Sequence, residues 1–286
     1  MRRAVVIGFL LIGCGGGSDR VLIENKGSDT LVNVAQAWAE EYIGVDPSVA
    51  VAVSGGGSGT GISAMINGTV DIANSSRGMR REEIELAQGN GVDPIEHVVG
   101  YDALAVFLHP NNPLESISFT ELRGIYGDHG SYDRWEQIGV DVPGCPSGEI
   151  VRVSRQNNSG TYAYFQEAVL GEEVDFRFGS RDMNGSSEVV DLVANTPCAI
   201  GYSGLAYATE EVAMPCIMGG DEDECVVASV DTAIDGSYPI ARPLFMYTAG
   251  QAVGSVGVYM DWILGPEGQC ILFEKGYAPV NPVVCS

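Results

Sequence analysis

Short apolar runs alternate with stretches of helical period along almost the whole chain. Residues 21–23 read as a strand. Beyond them Leu31, Val34, Ala35, Trp38 and Tyr42 fall on one face of a helix over 30–43. The pattern continues with a strand at 49–53, a helix at 58–66, a strand at 71–73 and a charged helix at 81–87. An apolar run longer than the others, 98–108, comes next. A turn at Asn112-Pro113, a helix at 120–125 and a loop through Trp135 lead to a strand at 150–154 and a helix at 159–169. A short strand-like run at 174–178, a helix at 187–194 and a strand at 199–203 follow. The last elements are a strand at 244–247 and helices at 255–264 and 266–275. Such alternation predicts an α/β architecture with mainly parallel sheets. No Gly/Ser-rich linker follows Ser18, so two lobes joined in tandem are not expected. Two interleaved lobes are, with crossings at 98–108 and near 238–245. Neither a solenoid repeat nor a low-complexity stretch is present beyond the first residues.

Composition makes this a chain that can bury a large core: 286 residues, 45% hydrophobic and 19% charged. The charge is lopsided, with 38 acidic against 15 basic residues and a net −23. Only Lys26 and Lys275 are lysines. General nucleic-acid binding and adsorption to anionic lipid are therefore disfavoured. Taken alone, the charge would disfavour an anionic ligand too.

Met1-Arg2-Arg3 and the apolar run 4–12 form the basic and apolar regions of an export signal. The run is too short to cross a bilayer, which takes about 20 helical residues. Leu11-Ile12-Gly13-Cys14, with a glycine tether after it, resembles the lipobox of bacterial lipoproteins. Residues 1–18 are thus expected to be signal and tether, with Cys14 lipidated; the alternative is an ordinary cleaved signal with an incidental cysteine. The product would be exported, periplasmic or at the cell surface, and touch membrane through its lipid alone. The remaining cysteines, Cys145, Cys198, Cys216, Cys225, Cys270 and Cys285, are even in number, which in an exported chain reads as a disulfide framework. Cys216 and Cys225 suit a local loop, and Cys270 with Cys285 would pin the C-terminus. Cys145 and Cys198 each precede a strand, and could pair if those strands are parallel neighbours. No Cys-x-x-Cys suggests redox chemistry.

Candidate chemistry collects in three loops, each expected between the carboxyl end of a strand and the start of a helix. They are Gly27-Ser28-Asp29-Thr30, the run from Ser54 through Ser58-Gly59-Thr60-Gly61, and Asn157-Asn158-Ser159-Gly160-Thr161. Free N–H groups and partial positive charge at a helix start, glycines that let an anion approach, and hydroxyl donors make an anion site that needs no lysine. The same residue types also serve as plain helix caps. Arg155, four residues before Ser159, and Arg77, in Ser75-Ser76-Arg77, are placed to add charge. Other chemistries are poorly supported. No Gly-Lys pair exists for a Walker A loop, and Gly59 to Ala64 fits a dinucleotide fingerprint without its acidic partner. No G-x-S-x-G is present, and His97, His109 and His129 match no metal spacing. No cofactor or metal is expected.

These motifs, in this order, resemble the phosphate-binding proteins of the bacterial high-affinity phosphate ABC importer. The likeness continues through Asp71-Ile72-Ala73, Tyr101 to Val106, Ala199-Ile200-Gly201-Tyr202, Tyr238-Pro239-Ile240 with Arg242-Pro243-Leu244, and Gly276 to Val280. It implies a two-lobed periplasmic-binding-protein fold (type II), with mixed, mainly parallel sheets and the ligand cleft between lobes. Residues 20–100 plus 243–286 would form lobe I and 101–242 lobe II. It further implies a non-enzymatic monomer that delivers inorganic phosphate to the permease subunits of an ABC importer. The implied shell is Ser28, Asp29, Thr30, Ser58, Gly59, Ser76, Arg77, Asp102, Arg155, Ser159, Gly160 and Thr161. In the best-known relatives a carboxylate at the place of Ser76 accepts the proton of hydrogen phosphate and so rejects sulfate. Its absence here predicts that Asp102 or Asp29 takes that role. Alternatives are a binding protein for another oxyanion such as sulfate, a phosphate-ester hydrolase, and a surface adhesion or sensor protein on the same fold.

Overall fold

The computed structural model describes residues 20–220 and 224–285. The export signal and Cys14 lie outside the described residues. Strand β1 (Val21–Gly27) leads to helix α1 (Val32–Val45), whose predicted apolar face is fully buried from Leu31 to Tyr42. Then follow β2 (Val49–Ser54), α2 (Ser58–Ile66), β3 (Ile72–Ser75), α3 (Arg81–Gly89) and the long β4 (Pro94–Leu108). Next come β5 (Ser116–Ser118), α4 (Phe119–Tyr126), β6 (Val151–Arg155), α5 (Gly160–Phe165), β7 (Arg181–Met183), α6 (Ser186–Ala194) and β8 (Ala199–Gly204). The chain ends with β9 (Cys216–Met218), α7 (Val230–Ile234), β10 (Ala241–Ala249), α8 (Gly254–Leu264) and α9 (Pro266–Glu274). Helix α5 runs on as a π-helical turn over Gln166–Leu170.

Eight strands form one mixed ladder in the order β2-β1-β3-β10-β4-β8-β6-β7, and β5 pairs with β9 apart from it. The ladder is continuous because β4 is long enough to serve both lobes. Residues Pro94–Ala103 pair with β10, and Leu104–Leu108 pair with β8. The two expected sheets are thereby fused along one strand. Each side of this strand has its own core. One gathers Ile23, Trp38, Val99, Leu244 and Tyr277; the other Leu104, Tyr126, Phe165, Tyr202 and Ile240. β4 and β10 cross between the cores, lying antiparallel with Asp102 opposite Arg242.

Two local differences from the sequence pattern have physical causes. Residues 174–178 form no strand. Phe176 instead stacks on Tyr162 and Tyr202, and Gly127 makes a single bridge to it. The short strands β5, β7 and β9 were not anticipated, since three residues carry too little period to read. The cysteines pair as Cys145–Cys198, Cys216–Cys225 and Cys270–Cys285. The first bridge joins the chain just ahead of β6 and β8, which are parallel neighbours.

Trp38 anchors the core that holds Ile23 and Tyr277: its ring is fully buried and its Nε1–H donates to the Gly268 carbonyl at 2.7 Å. Removing that ring leaves a cavity and takes one donor from the Gly268 carbonyl. Trp38→Ala is expected to lower the unfolding free energy by about 3–5 kcal/mol, read from urea denaturation. A loss below about 1 kcal/mol would contradict this packing.

Candidate functional site

The three hydroxyl-bearing loops meet where the lobes face each other. The first leaves β1 at Gly27, whose φ of +147° and close approach to the Asn74 carbonyl exclude a side chain; a Cβ would lie 2.1 Å from that oxygen. This tight passage lets the Ser28 N–H donate to Asn74 O at 2.9 Å and the Ser28 hydroxyl donate to Ser76 Oγ at 3.0 Å. The tyrosine hydroxyls of Tyr207 and Tyr277 donate to the carbonyls of Asp29 and Thr30 and hold the loop from below. In the second loop, Ser58 opens α2. Its Oγ accepts the Ser76 N–H at 3.0 Å. In the third, Ser159 caps α5 by accepting the Thr161 N–H at 3.1 Å, so its oxygen does have the structural role weighed above while its hydrogen stays free to donate. All six of Ser28, Thr30, Ser58, Ser76, Ser159 and Thr161 are buried.

Contacts across the lobes are direct. Thr30 Oγ1 and Thr161 Oγ1 are 3.1 Å apart. The Gly59 N–H donates to Asn158 O, and Asn158 Nδ2 donates to Gly56 O, each at 2.9 Å. Gly160 lies so close to the hydroxyls of lobe I that a Cβ there would be 2.3 Å from Ser58 Oγ and 2.6 Å from Ser76 Oγ.

Charge enters this cluster in pairs. Arg155 is almost fully buried. Its Nη2 donates to Asp29 Oδ2 at 3.0 Å across the lobes and to Asn184 O at 2.7 Å, while Nη1 donates to Ser186 Oγ at 3.0 Å. Burial lowers the guanidinium pKa and Asp29 opposes this, but a guanidinium stays protonated in a protein. Asp29 Oδ1 accepts the Gly56 N–H at 2.9 Å. Asp102 is engaged from behind: its Oδ2 accepts from Arg242 Nε at 3.1 Å and Nη2 at 2.8 Å. Burial raises the Asp102 carboxyl pKa and the facing guanidinium opposes it. Both aspartates expected to take a ligand proton therefore already receive hydrogen bonds from protein donors.

Arg77 is not brought to the cluster. With Ser76 turned inward, the next side chain points away, and Arg77 forms a two-pronged pair with Glu83 at 2.7 and 2.8 Å. The expected shell left out Arg242, Asn158, Ser186, Tyr207 and Tyr277, although Asn158 lies in the third loop and Arg242 and Tyr277 in the matched motifs. Arg242 had a signal, since arginines are few here, but its partners lie up to 212 residues away. None of the three histidines touches this cluster. His97 contacts Thr248, His109 accepts from the Asn111 N–H, and exposed His129 lies by Asp128. Among the described residues no group of His, Cys, Asp or Glu is arranged to hold a metal. What remains is a shell of hydroxyls and backbone donors, with each arginine matched by its own aspartate. Chemically it can surround a small oxyanion with hydrogen bonds, and it presents no poised nucleophile and base.

Comparison with known proteins gives a consistent result. A family model described as a PBP superfamily domain matches residues 16–267. The phosphate-binding protein PstS of Pseudomonas aeruginosa is 30% identical over 269 residues, covering 90% of this chain and 83% of that protein. Protein SphX of Synechococcus elongatus is 31% identical, covering 92% and 79%. Among solved structures, a putative phosphate ABC transporter substrate-binding protein with bound phosphate from Clostridium perfringens superposes with a TM-score of 0.79. It shares 27% identity, covering 91% of this chain and all of that one.

The Arg77–Glu83 pair gives a pH test. Burial raises the Glu83 pKa, but hydrogen bonds from Arg77 and the Arg80 N–H outweigh it, and the net direction is downward. A carboxyl with a depressed folded pKa contributes stability above its unfolded pKa and loses it as pH falls through the folded value. Glu83→Gln is expected to cost roughly 1–2 kcal/mol at pH 7. In melting curves the gap to wild type should close as the pH drops below about 4. A gap unchanged at acid pH would show that the pair contributes nothing through charge.

Proposed function

The chain belongs to the PBP superfamily, and we propose that it is an extracytoplasmic phosphate-binding protein that delivers inorganic phosphate to the permease of an ABC importer. The observation that carries this reading is the convergence of Ser28, Thr30, Ser58, Ser76, Ser159, Gly160 and Thr161 from the ends of four strands, β1, β2, β3 and β6. Relatives of similar length are named for phosphate binding. Phosphate entering between the lobes exchanges hydroxyl-to-hydroxyl bonds for hydroxyl-to-oxyanion bonds, which are the stronger kind. Arg155, its charge offset by Asp29, supplies a fixed guanidinium donor, and its bond to Asp29 couples the ligand shell to lobe closure. Binding needs no bond-making step, so the protein acts as a carrier rather than a catalyst. We further assign Cys14 as the lipid anchor and the monomer as the working form.

Selectivity is expected to differ from that of relatives with an acidic residue at the place of Ser76. A carboxylate only accepts, and so repels an unprotonated oxyanion; a hydroxyl donates or accepts as needed. Asp29 accepts from Arg155 and Gly56, and Asp102 accepts from Arg242 through Oδ2 alone. Discrimination against sulfate therefore falls to the buried, unpartnered Asp102 Oδ1; if that oxygen does not reach the ligand, sulfate competes. The Ser76 hydroxyl favours this second reading, a carrier for tetrahedral oxyanions in general.

Calorimetry separates the readings. Phosphate is expected to bind the mature protein, and Arg155→Ala to weaken it by about 10²–10³-fold, the loss of one or two charge-assisted bonds. Sulfate binding within about 10-fold of phosphate would shift the assignment to the general carrier. Heat with neither ion would overturn both. Gly160→Ala tests the shell by shape: its methyl overlaps Ser58 and Ser76, so the melting shift caused by phosphate should vanish while the fold survives.

A further inference from the structure

Arg242 binds together more of the cleft than any residue that sequence reasoning singled out. It stands on β10 opposite Asp102 on β4, at the crossing between the lobes, and both side chains are almost fully buried. Besides its two bonds to Asp102, Nη1 donates to Ser76 O at 3.2 Å. Nη2, with one hydrogen on Asp102, shares the other between Thr30 Oγ1 at 3.2 Å and Thr161 Oγ1 at 3.0 Å. Tyr164 lies under the guanidinium, with its ring centre 5.5 Å from Cζ, and fixes the plane from another side. One nitrogen thus touches a hydroxyl from each lobe, and those hydroxyls also touch each other.

A guanidinium carries donors and no acceptor. A threonine oxygen facing it must therefore accept, and its single hydrogen has to point elsewhere. Without such a neighbour a hydroxyl adopts either polarity at little cost. Beside Arg242 the choice is made before any ligand arrives. Asp102 offsets the charge, so the pair contributes direction more than net attraction.

We propose that Arg242 is a positioning residue that locks Thr30 and Thr161 as hydrogen-bond donors towards the ligand, with Asp102 holding its guanidinium within reach of both. The proposal rests on the phosphate reading above. It makes the Thr30–Thr161 corner the place of an unprotonated phosphate oxygen. The protonated oxygen is left to the adaptable hydroxyls of Ser28 and Ser76, which bond only each other and Ser58, whereas Ser58 Oγ already accepts the Ser76 N–H. The specificity of the site is thereby built from the hinge rather than from the ligand loops alone.

A double-mutant cycle on phosphate affinity tests it. Arg242→Lys keeps a cation against Asp102 but replaces the two-nitrogen fork by one point donor. Thr161→Val removes the hydroxyl and keeps the shape. Calorimetry is run on wild type, both single variants and the double variant, each first shown to melt cooperatively. The expected result is strong coupling. Arg242→Lys weakens phosphate by about 10-fold with Thr161 present and by about 3-fold in the Thr161→Val background, where only Thr30 still depends on it. Equal losses in both backgrounds would mean that Arg242 acts independently of the hydroxyl and would overturn the proposal, as would an Arg242→Lys protein that binds like wild type. If Arg242→Lys fails to fold, the neutral pair Arg242→Gln with Asp102→Asn takes its place in the same cycle with the same two outcomes. Wild-type protein giving no heat with phosphate would bring down the phosphate reading itself. Wild-type binding with additive losses would bring down only the role of Arg242.

Discussion

Asp102 and Arg242 face each other where the two longest strands cross from one core to the other, with no water-exposed surface to spare. Taking two such ions out of water costs several kcal/mol each, and their attraction offsets this only when the remaining donors find partners. On the arginine side they do: Ser76, Thr30 and Thr161 accept what Asp102 does not, while Asp102 Oδ1 is left buried without a partner. The requirement runs both ways. The pair needs the loops to complete its bonds, and the loops take their positions from the pair. The ligand shell and the hinge are for this reason one hydrogen-bonded unit rather than a pocket carried on a separate frame.

The same arrangement resolves the conflict between a net charge of −23 and an anionic ligand. Each cleft arginine has its own aspartate, so the site is close to neutral and attracts through oriented hydroxyls and amides. Those act over a few ångströms in a closed cleft. Surface carboxylates farther off than about 8 Å are screened by physiological salt. Net acidity therefore affects how fast an anion arrives more than how firmly it is held.

The readable part of the site was local. Ser28, Ser58 and Ser159 sit at strand-to-helix junctions whose chemistry shows in a few consecutive residues, and Arg155 lies at the end of a strand beside one of them. The disulfides were legible for a similar reason: spacing for two, and strand adjacency for Cys145 and Cys198. Long-range geometry was not. Whether Arg77 points into the cleft depends on Glu83 and on the inward turn of Ser76, and an arginine after a strand looks the same either way. Arg242 and Asp102 are opposite each other only because of the register of β10 on β4, which no local pattern encodes. The run at 174–178 misled because Phe176 and its neighbours are apolar for an aromatic cluster, not for a ladder.

The bonds between Gly56, Gly59 and Asn158 have a consequence of a different kind. They join backbone to loop across the mouth of the cleft and exist only when the lobes meet, whatever lies inside. Contacts of this type favour the shut form with or without cargo, so part of the closing free energy is independent of ligand identity. By favouring the shut form they slow the escape of whatever has been captured, without adding recognition. A docking partner that pulled this lip open would release the cargo without having to break the shell first.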